Sequence, residues 1–121
     1  MKHILCVDDE PFIHSIVNDL FKSEGYEVHD AKNGLDAFLM ALEMKFDLII
    51  TDFQMPIMTG GGLIQSLRGK DGPNKNTPVI IISAFSEPAK RSTEGLEKVS
   101  FLGKPIVLDD FKDVIEKAIN S

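Results

Sequence analysis

The sequence predicts a doubly wound α/β domain, a five-stranded parallel sheet with five helices spread over its two faces. Three observations carry the prediction. Short continuous apolar runs, Ile4–Val7, Leu48–Ile50 and Val79–Ile82, have the character of strands buried on both sides. Segments between them repeat apolar residues at the i, i+3, i+4 spacing of amphipathic helices. The two patterns alternate five times along 121 residues, with connections short enough for right-handed crossovers.

The first strand, Ile4-Leu5-Cys6-Val7, runs into Asp8-Asp9-Glu10 and then Pro11. Proline suits a first helical turn, where its missing N–H leaves no bond unmade. Ile13, Ile16, Val17, Leu20 and Phe21 form the apolar stripe of that helix, which stops at Gly25. Tyr26–Asp30 alternates weakly and reads as a less buried second strand. Asn33-Gly34 is a turn signal with no strand close behind it, so a hairpin is not expected. Leu35, Phe38 and Leu42 mark a second helix, and Phe46 leads into the central strand.

That strand, Leu48-Ile49-Ile50, closes in Thr51-Asp52 and continues through Phe53-Gln54-Met55-Pro56. A third helix opens at Gly60-Gly61-Gly62 and carries Leu63, Ile64 and Leu67; three glycines are expected to fray its start, each costing up to about 1 kcal/mol relative to alanine. Residues 69–78 read as a polar surface loop. Val79–Ile82 must be fully buried. The segment 86–98 has the weakest helical signal, with Ala89, Thr93 and Leu96 as its inward residues. Val99–Leu102 makes the fifth strand, ended by Gly103-Lys104-Pro105, and Leu108, Phe111, Val114, Ile115, Ala118 and Ile119 define the last helix.

Composition bounds the function. The length suits one domain, residues 1–121, and 43% apolar with 26% charged residues is ordinary for a globular chain. The formal net charge of -6 argues against direct binding of nucleic acid or an anionic membrane. No apolar run approaches the roughly 20 residues of a membrane span, and the start does not read as a signal peptide. Cys6 stands alone inside an apolar run, so a buried, inert thiol in the cytoplasm is expected.

In open α/β sheets, ligands bind at the carboxyl ends of the strands. Here those ends carry Asp8 and Asp9, Asp52, Ser83 and Lys104. Crowded carboxylates need a positive partner, and hard oxygen ligands without His or Cys favour Mg²⁺. A hydroxyl and an ammonium suit further oxygens of a phosphoryl group. The set fits an aspartate that accepts a phosphoryl group beside Mg²⁺.

Asp8-Asp9, Asp52 ahead of Met55-Pro56-Ile57-Met58-Thr59-Gly60, Ser83-Ala84, Phe101 and Lys104-Pro105, in this order at strand ends, resemble a response-regulator receiver domain of two-component signalling over the whole chain. The resemblance implies a flavodoxin-like fold with strand order 2-1-3-4-5. It further implies that Asp52 takes a phosphoryl group from a sensor histidine kinase or phosphotransfer protein. Mg²⁺ would be held by Asp9, Asp52 and the backbone carbonyl of Gln54, with Asp8 ligating directly or through water. Lys104 would pair with the phosphoryl group; Ser83 and Phe101 would form the switch. That switch would remodel the face made by the fourth helix, fifth strand and fifth helix for a downstream protein target or effector domain. The family also implies a cis Lys104–Pro105 bond. Phe101 stands where many relatives carry tyrosine, Gly61-Gly62 replaces residues that support the third helix, and Phe85 is expected to shield the acyl phosphate.

Other classes fit less well. A phosphatase of the haloacid-dehalogenase type places an aspartate at a strand end but wants a second acid where Gln54 stands. A flavin carrier wants a hydroxyl-rich loop where Asp8-Asp9-Glu10 would repel phosphate. A pseudo-receiver would not keep Asp8, Asp9, Asp52, Ser83 and Lys104 together. The glycine run lacks the lysine of a P-loop. His3, His14 and His29 lack metal-ligand spacing, and the Met55/Met58 pair reads as loop packing.

Overall fold

A computed structural model describes residues 2–22, 24–55, 57–69, 71–84 and 86–120. In chain order the elements are β1 (Lys2–Val7), α1 (Pro11–Lys22), β2 (Tyr26–Ala31), α2 (Gly34–Glu43), β3 (Leu48–Asp52), α3 (Gly60–Gly69), β4 (Val79–Ser83), α4 (Ser86–Ser92), β5 (Val99–Gly103) and α5 (Leu108–Ile119). The strands form one sheet in the order β2-β1-β3-β4-β5. Every neighbouring pair is parallel. This is the expected flavodoxin-like arrangement.

The period of two along each strand divides the core into two layers. Leu5, Ile49 and Ile81 face α2 and α3, packing with Ala37, Ala41, Leu63, Ile64 and Leu67. Ile4, Cys6, Leu48, Ile50, Ile80 and Ile82 face α1 and α5, against Val17, Phe21, Phe111 and Ile115. Both layers need apolar side chains at every position of the central strands, which explains the unbroken runs of β3 and β4. Cys6 is fully buried, and burial pushes its thiol up, with Asp30 and Asp8 adding to the shift. A thiol this buried and held protonated is a poor nucleophile.

Two local expectations are corrected. The spacing of Leu35, Phe38 and Leu42 finds α2, but Leu35, Leu39 and Leu42 are exposed, and the helix buries Gly34, Ala37 and Ala41 instead. Small residues on that face let α2 lie close to the sheet. Asn33 is its N-cap, accepting from Asp36 N at 2.8 Å, so the Asn-Gly signal begins a helix.

α3 begins at Gly60, where the glycine answers a packing need. A Cβ on Gly60 would overlap the carbonyl oxygen of Asp52, and one on Gly34 would overlap that of Met58. Glycine is required where backbone meets backbone this closely.

The stretch 69–78 is no simple surface loop. Gly69 completes α3, and Asn74 and Thr77 are buried. Asn74 Nδ2 donates to the carbonyls of Ala41 and Met44 at 2.6 and 2.7 Å, while Oδ1 accepts from Phe46 N at 2.8 Å and Thr77 Oγ1 at 2.9 Å. Arg68 donates to the carbonyls of Asn74, Lys75, Thr77 and Glu97. Together they fasten the end of the sheet away from the strand carboxyl termini.

Candidate functional site at the carboxyl edge of the sheet

Parallel pairing brings the ends of β1, β3, β4 and β5 to one edge. Asp8 follows β1 directly and is fully buried; its backbone N–H donates to Ala31 O at 3.1 Å. Its Oδ1 accepts from Glu10 N at 2.8 Å, whereas Oδ2 is buried with no hydrogen-bond partner among the described residues. Burial raises the Asp8 carboxyl to about 6, with the Asp52 charge adding and the Glu10 N–H opposing. A buried carboxylate oxygen without a donor is ready for a cation.

Asp52 closes β3 and is nearly buried. Its Oδ2 lies 3.2 Å from Lys104 Nζ, and its Oδ1 accepts from Gln54 N at 3.4 Å. Lys104 Nζ also reaches Glu10 Oε1 at 3.5 Å. Partial burial pulls the Lys104 ammonium down, but the Asp52 hydrogen bond and charge, with Asp8 and Glu10 behind them, leave it above the ordinary lysine value. Lys104 is therefore a cation held among acids.

Asp8, Asp9, Glu10 and Asp52 each present a carboxylate oxygen within 4.8 Å of the others. Glu10 is the member that sequence reasoning assigned no part; the Asp8-Asp9-Glu10 run was its signal. His14 was also missed. Its Nε2 lies 2.6 Å from Asp8 O and its Nδ1 2.7 Å from Asp30 Oδ1, a bridge made by α1 folding over β1 that no sequence spacing reveals.

Ser83 ends β4 opposite Gly103 of β5, and its carbonyl accepts from Lys104 N at 3.0 Å. Adjacent strands thus carry Asp52 and Ser83, while Lys104 follows the next. Phe101, two positions before Gly103, is half-buried against the α2/α3 layer, with Lys90 Nζ 5.8 Å from its ring centre. The Lys104–Pro105 bond is cis. Gln54 is exposed in the loop after β3. Pro56 and Phe85, both noted in the sequence, lie outside the described residues.

The fold and the pocket define a small α/β domain with a four-carboxylate, one-lysine site at the carboxyl edge of its sheet. Residues 4–116 match the response regulator receiver domain family, and the chain belongs to that family, the receiver domains of two-component signalling. It is 30% identical over 115 residues to sporulation initiation phosphotransferase F of Bacillus subtilis, covering 94% of this chain and 90% of that one. Chemotaxis response regulator CheY4 of Vibrio cholerae superposes with a TM-score of 0.85 at 28% identity, covering 98% of both chains. Response regulator TrrA of Thermotoga maritima, solved in complex with Mg²⁺-BeF, gives 0.78 at 29% identity over 98% of this chain and 99% of its own. Receiver domains are signalling modules, and among the described residues no helix is long and apolar enough to cross a membrane.

Proposed function

We propose that Asp52 is the phosphoacceptor and that the chain works as a phosphorylation switch without turnover of a separate substrate. The observation that carries this is the contact of Lys104 Nζ with Asp52 Oδ2 inside a cluster of four carboxylates. The cluster suits Mg²⁺. Its donors are hard oxygens, and buried Asp8 Oδ2 has no hydrogen-bond donor among the described residues. Asp8, Asp9 and Asp52, with the Gln54 backbone carbonyl, would hold the ion; bound Mg²⁺ offsets charge on the transferring phosphoryl group.

Asp52 is held at a strand end with both carboxylate oxygens directed by neighbours, so little reorientation precedes attack. An Asp52 oxygen forms the bond to phosphorus as the bond from phosphorus to the donor's leaving atom breaks. The electron pair stays with the leaving group, an imidazole nitrogen or a carboxylate oxygen. Lys104 then follows the negative charge from the carboxylate to the phosphoryl oxygens. Ser83, one strand over, supplies a hydroxyl to another oxygen, and Phe101 fills the space behind it. This shift would reshape the face of α4, β5 and α5 for a downstream protein or effector domain.

Segments that follow the strand ends carry exposed apolar residues. Phe12 in the first turn of α1, Ile57 beyond Asp52, and Val107 beyond Lys104 are 67%, 75% and 56% exposed. Large exposed apolar side chains suit protein docking. They fit a protein phosphodonor, which for a receiver domain would be a histidine kinase or phosphotransfer protein in the cytoplasm.

Acetyl phosphate and Mg²⁺ should add the mass of one phosphoryl group to the chain, and the adduct should vanish with EDTA and in Asp52→Asn. An adduct that persists in Asp52→Asn would remove Asp52 from the role. No adduct from acetyl phosphate, together with no response to beryllofluoride, would favour a receiver that binds partners unphosphorylated.

A further inference from the structure

His3, Glu27 and His29 meet on the sheet at the end remote from Asp52. The register pairs His3 with Glu27 and Leu5 with His29. Strand alternation sends all three side chains to the face shared by Leu5 and Ala31. Five residue steps along β1 and its end separate His3 from Asp8, about 16 Å at strand rise.

One donor atom from each of the three residues lies within 4.8 Å of the other two, and both Glu27 oxygens face the imidazoles. His3 Nδ1 lies 3.1 Å from His29 Nε2 and 3.5 Å from Glu27 Oε2, and His29 Nε2 lies 3.8 Å from Glu27 Oε1. Ligands about 2.0–2.1 Å from a tetrahedral ion stand about 3.3–3.4 Å apart, so small side-chain adjustments bring all three to ligation distance. We propose that His3, Glu27 and His29 bind a divalent ion of the zinc class, with water in the fourth position.

Two imidazoles with one carboxylate select Zn²⁺ over the hard ion suited to the acidic pocket. The facing ring nitrogens share one proton in their hydrogen bond; on ligation it moves to a far ring nitrogen, and both lone pairs point to the metal. The site is largely built. The His3 backbone is held by N–H donation to Asp47 Oδ2 and by acceptance from Asp47 N, both 2.8 Å. The His29 ring stands edge-on to Phe46, 5.5 Å between centres. The His3 and His29 side chains are 28% and 22% exposed and Glu27 51%, leaving a path from solvent. The other histidine cluster, Cys6, His14 and Asp30, is a poorer candidate, because both His14 nitrogens already face acceptors and the thiol is buried. An ion held by His3, Glu27 and His29 staples edge strand β2 to β1.

Calorimetric titration of zinc sulfate into the full chain, in excess Mg²⁺, should show one site per chain. Affinity should be unchanged in Asp52→Asn and fall about tenfold or more in His29→Gln. Zinc should also raise the Tm of wild type and not of His29→Gln. Equal zinc affinity in wild type and His29→Gln, loss of binding in Asp52→Asn, or no saturable binding overturns the proposal. Should His29→Gln fold poorly, wild-type NMR decides. Zinc should shift the ring nitrogens of His3 and His29; a shift at His14 alone overturns the assignment.

Discussion

Lys104 Nζ stands 3.2 Å from Asp52 Oδ2 and 3.5 Å from Glu10 Oε1, so one ammonium serves two of the four carboxylates at the sheet edge. Removing it leaves those charges opposed. Lys104→Gln should cost roughly 1–3 kcal/mol in Mg²⁺-free protein. Added Mg²⁺ should raise its Tm more than that of wild type, because the ion then supplies the only strong local cation. The yield of acetyl-phosphate adduct should nevertheless fall. Urea melts with and without Mg²⁺, run beside phosphorylation assays, check both halves; equal Mg²⁺ stabilisation of both proteins would refute the electrostatic account.

Asp8 introduces a pH dependence with a definite sign. Its carboxyl is raised from 3.8 to about 6 in the fold, chiefly by burial, so the folded state holds the proton where the unfolded chain has lost it. Stability from this group is present below pH 3.8 and is lost as pH rises toward about 6. The loss is on the order of 2–3 kcal/mol at neutral pH. Mg²⁺ competes with that proton, so its affinity should strengthen as pH climbs through 6. Asp8→Asn should flatten the Mg²⁺-free Tm profile across this range; an unchanged profile would show that Asp8 does not govern it.

Gly60 has no room for a side chain against the Asp52 carbonyl, and its N–H donates to Phe53 O at 2.9 Å. Gly60→Ala should destabilise by roughly 1–3 kcal/mol through forced backbone movement, and it should disturb phosphorylation because β3 ends there. Gly69, at the far end of the same helix, is open: a Cβ there would meet nothing within 4 Å. Gly69→Ala should stabilise by about 0.5–1 kcal/mol. Chemical denaturation of the pair tests whether close approach or helix propensity governs the glycines.

Ile57 carries two costs at once, φ of 72° and 75% exposure of a β-branched side chain. Left-handed backbone disfavours such a residue by about 1–2 kcal/mol, whereas asparagine adopts it readily. Ile57→Asn should therefore stabilise by about 1 kcal/mol. Its acetyl-phosphate reaction should match wild type, while transfer from a protein phosphodonor should slow if Ile57 helps dock it. Comparing the two donors on one variant separates packing from recognition.

The strands and the pocket were legible because their signals are local: apolar runs bounded by Asp8, Asp52, Ser83 and Lys104 survive any uncertainty in packing. The inward face of α2 was not. Its leucines are the strongest apolar residues, yet close approach to the sheet selects Ala37 and Ala41. Asn74 and Thr77 escaped for a different reason. A polar residue in a Gly-Pro-Asn-Lys stretch signals a turn, and only the fold shows that its amide bonds to carbonyls some 30 residues away. His3, Glu27 and His29 were likewise invisible as a group, since they are joined by strand register and not by spacing.

Around Asn74 the fold also decides where the chain can be cut. The composition there is that of a protease-sensitive loop, and Lys75 offers trypsin an exposed side chain. Yet cleavage requires the backbone to leave the surface, and here the carbonyls of Asn74, Lys75 and Thr77 are held by Arg68 while Asn74 itself is locked beneath α2. Trypsin should pass over Lys75, and over Lys98, whose carbonyl accepts from Val79 N, and open the chain first at Arg91 near the end of seven-residue α4. The first fragments of a digest would then reveal which half of this small domain breathes.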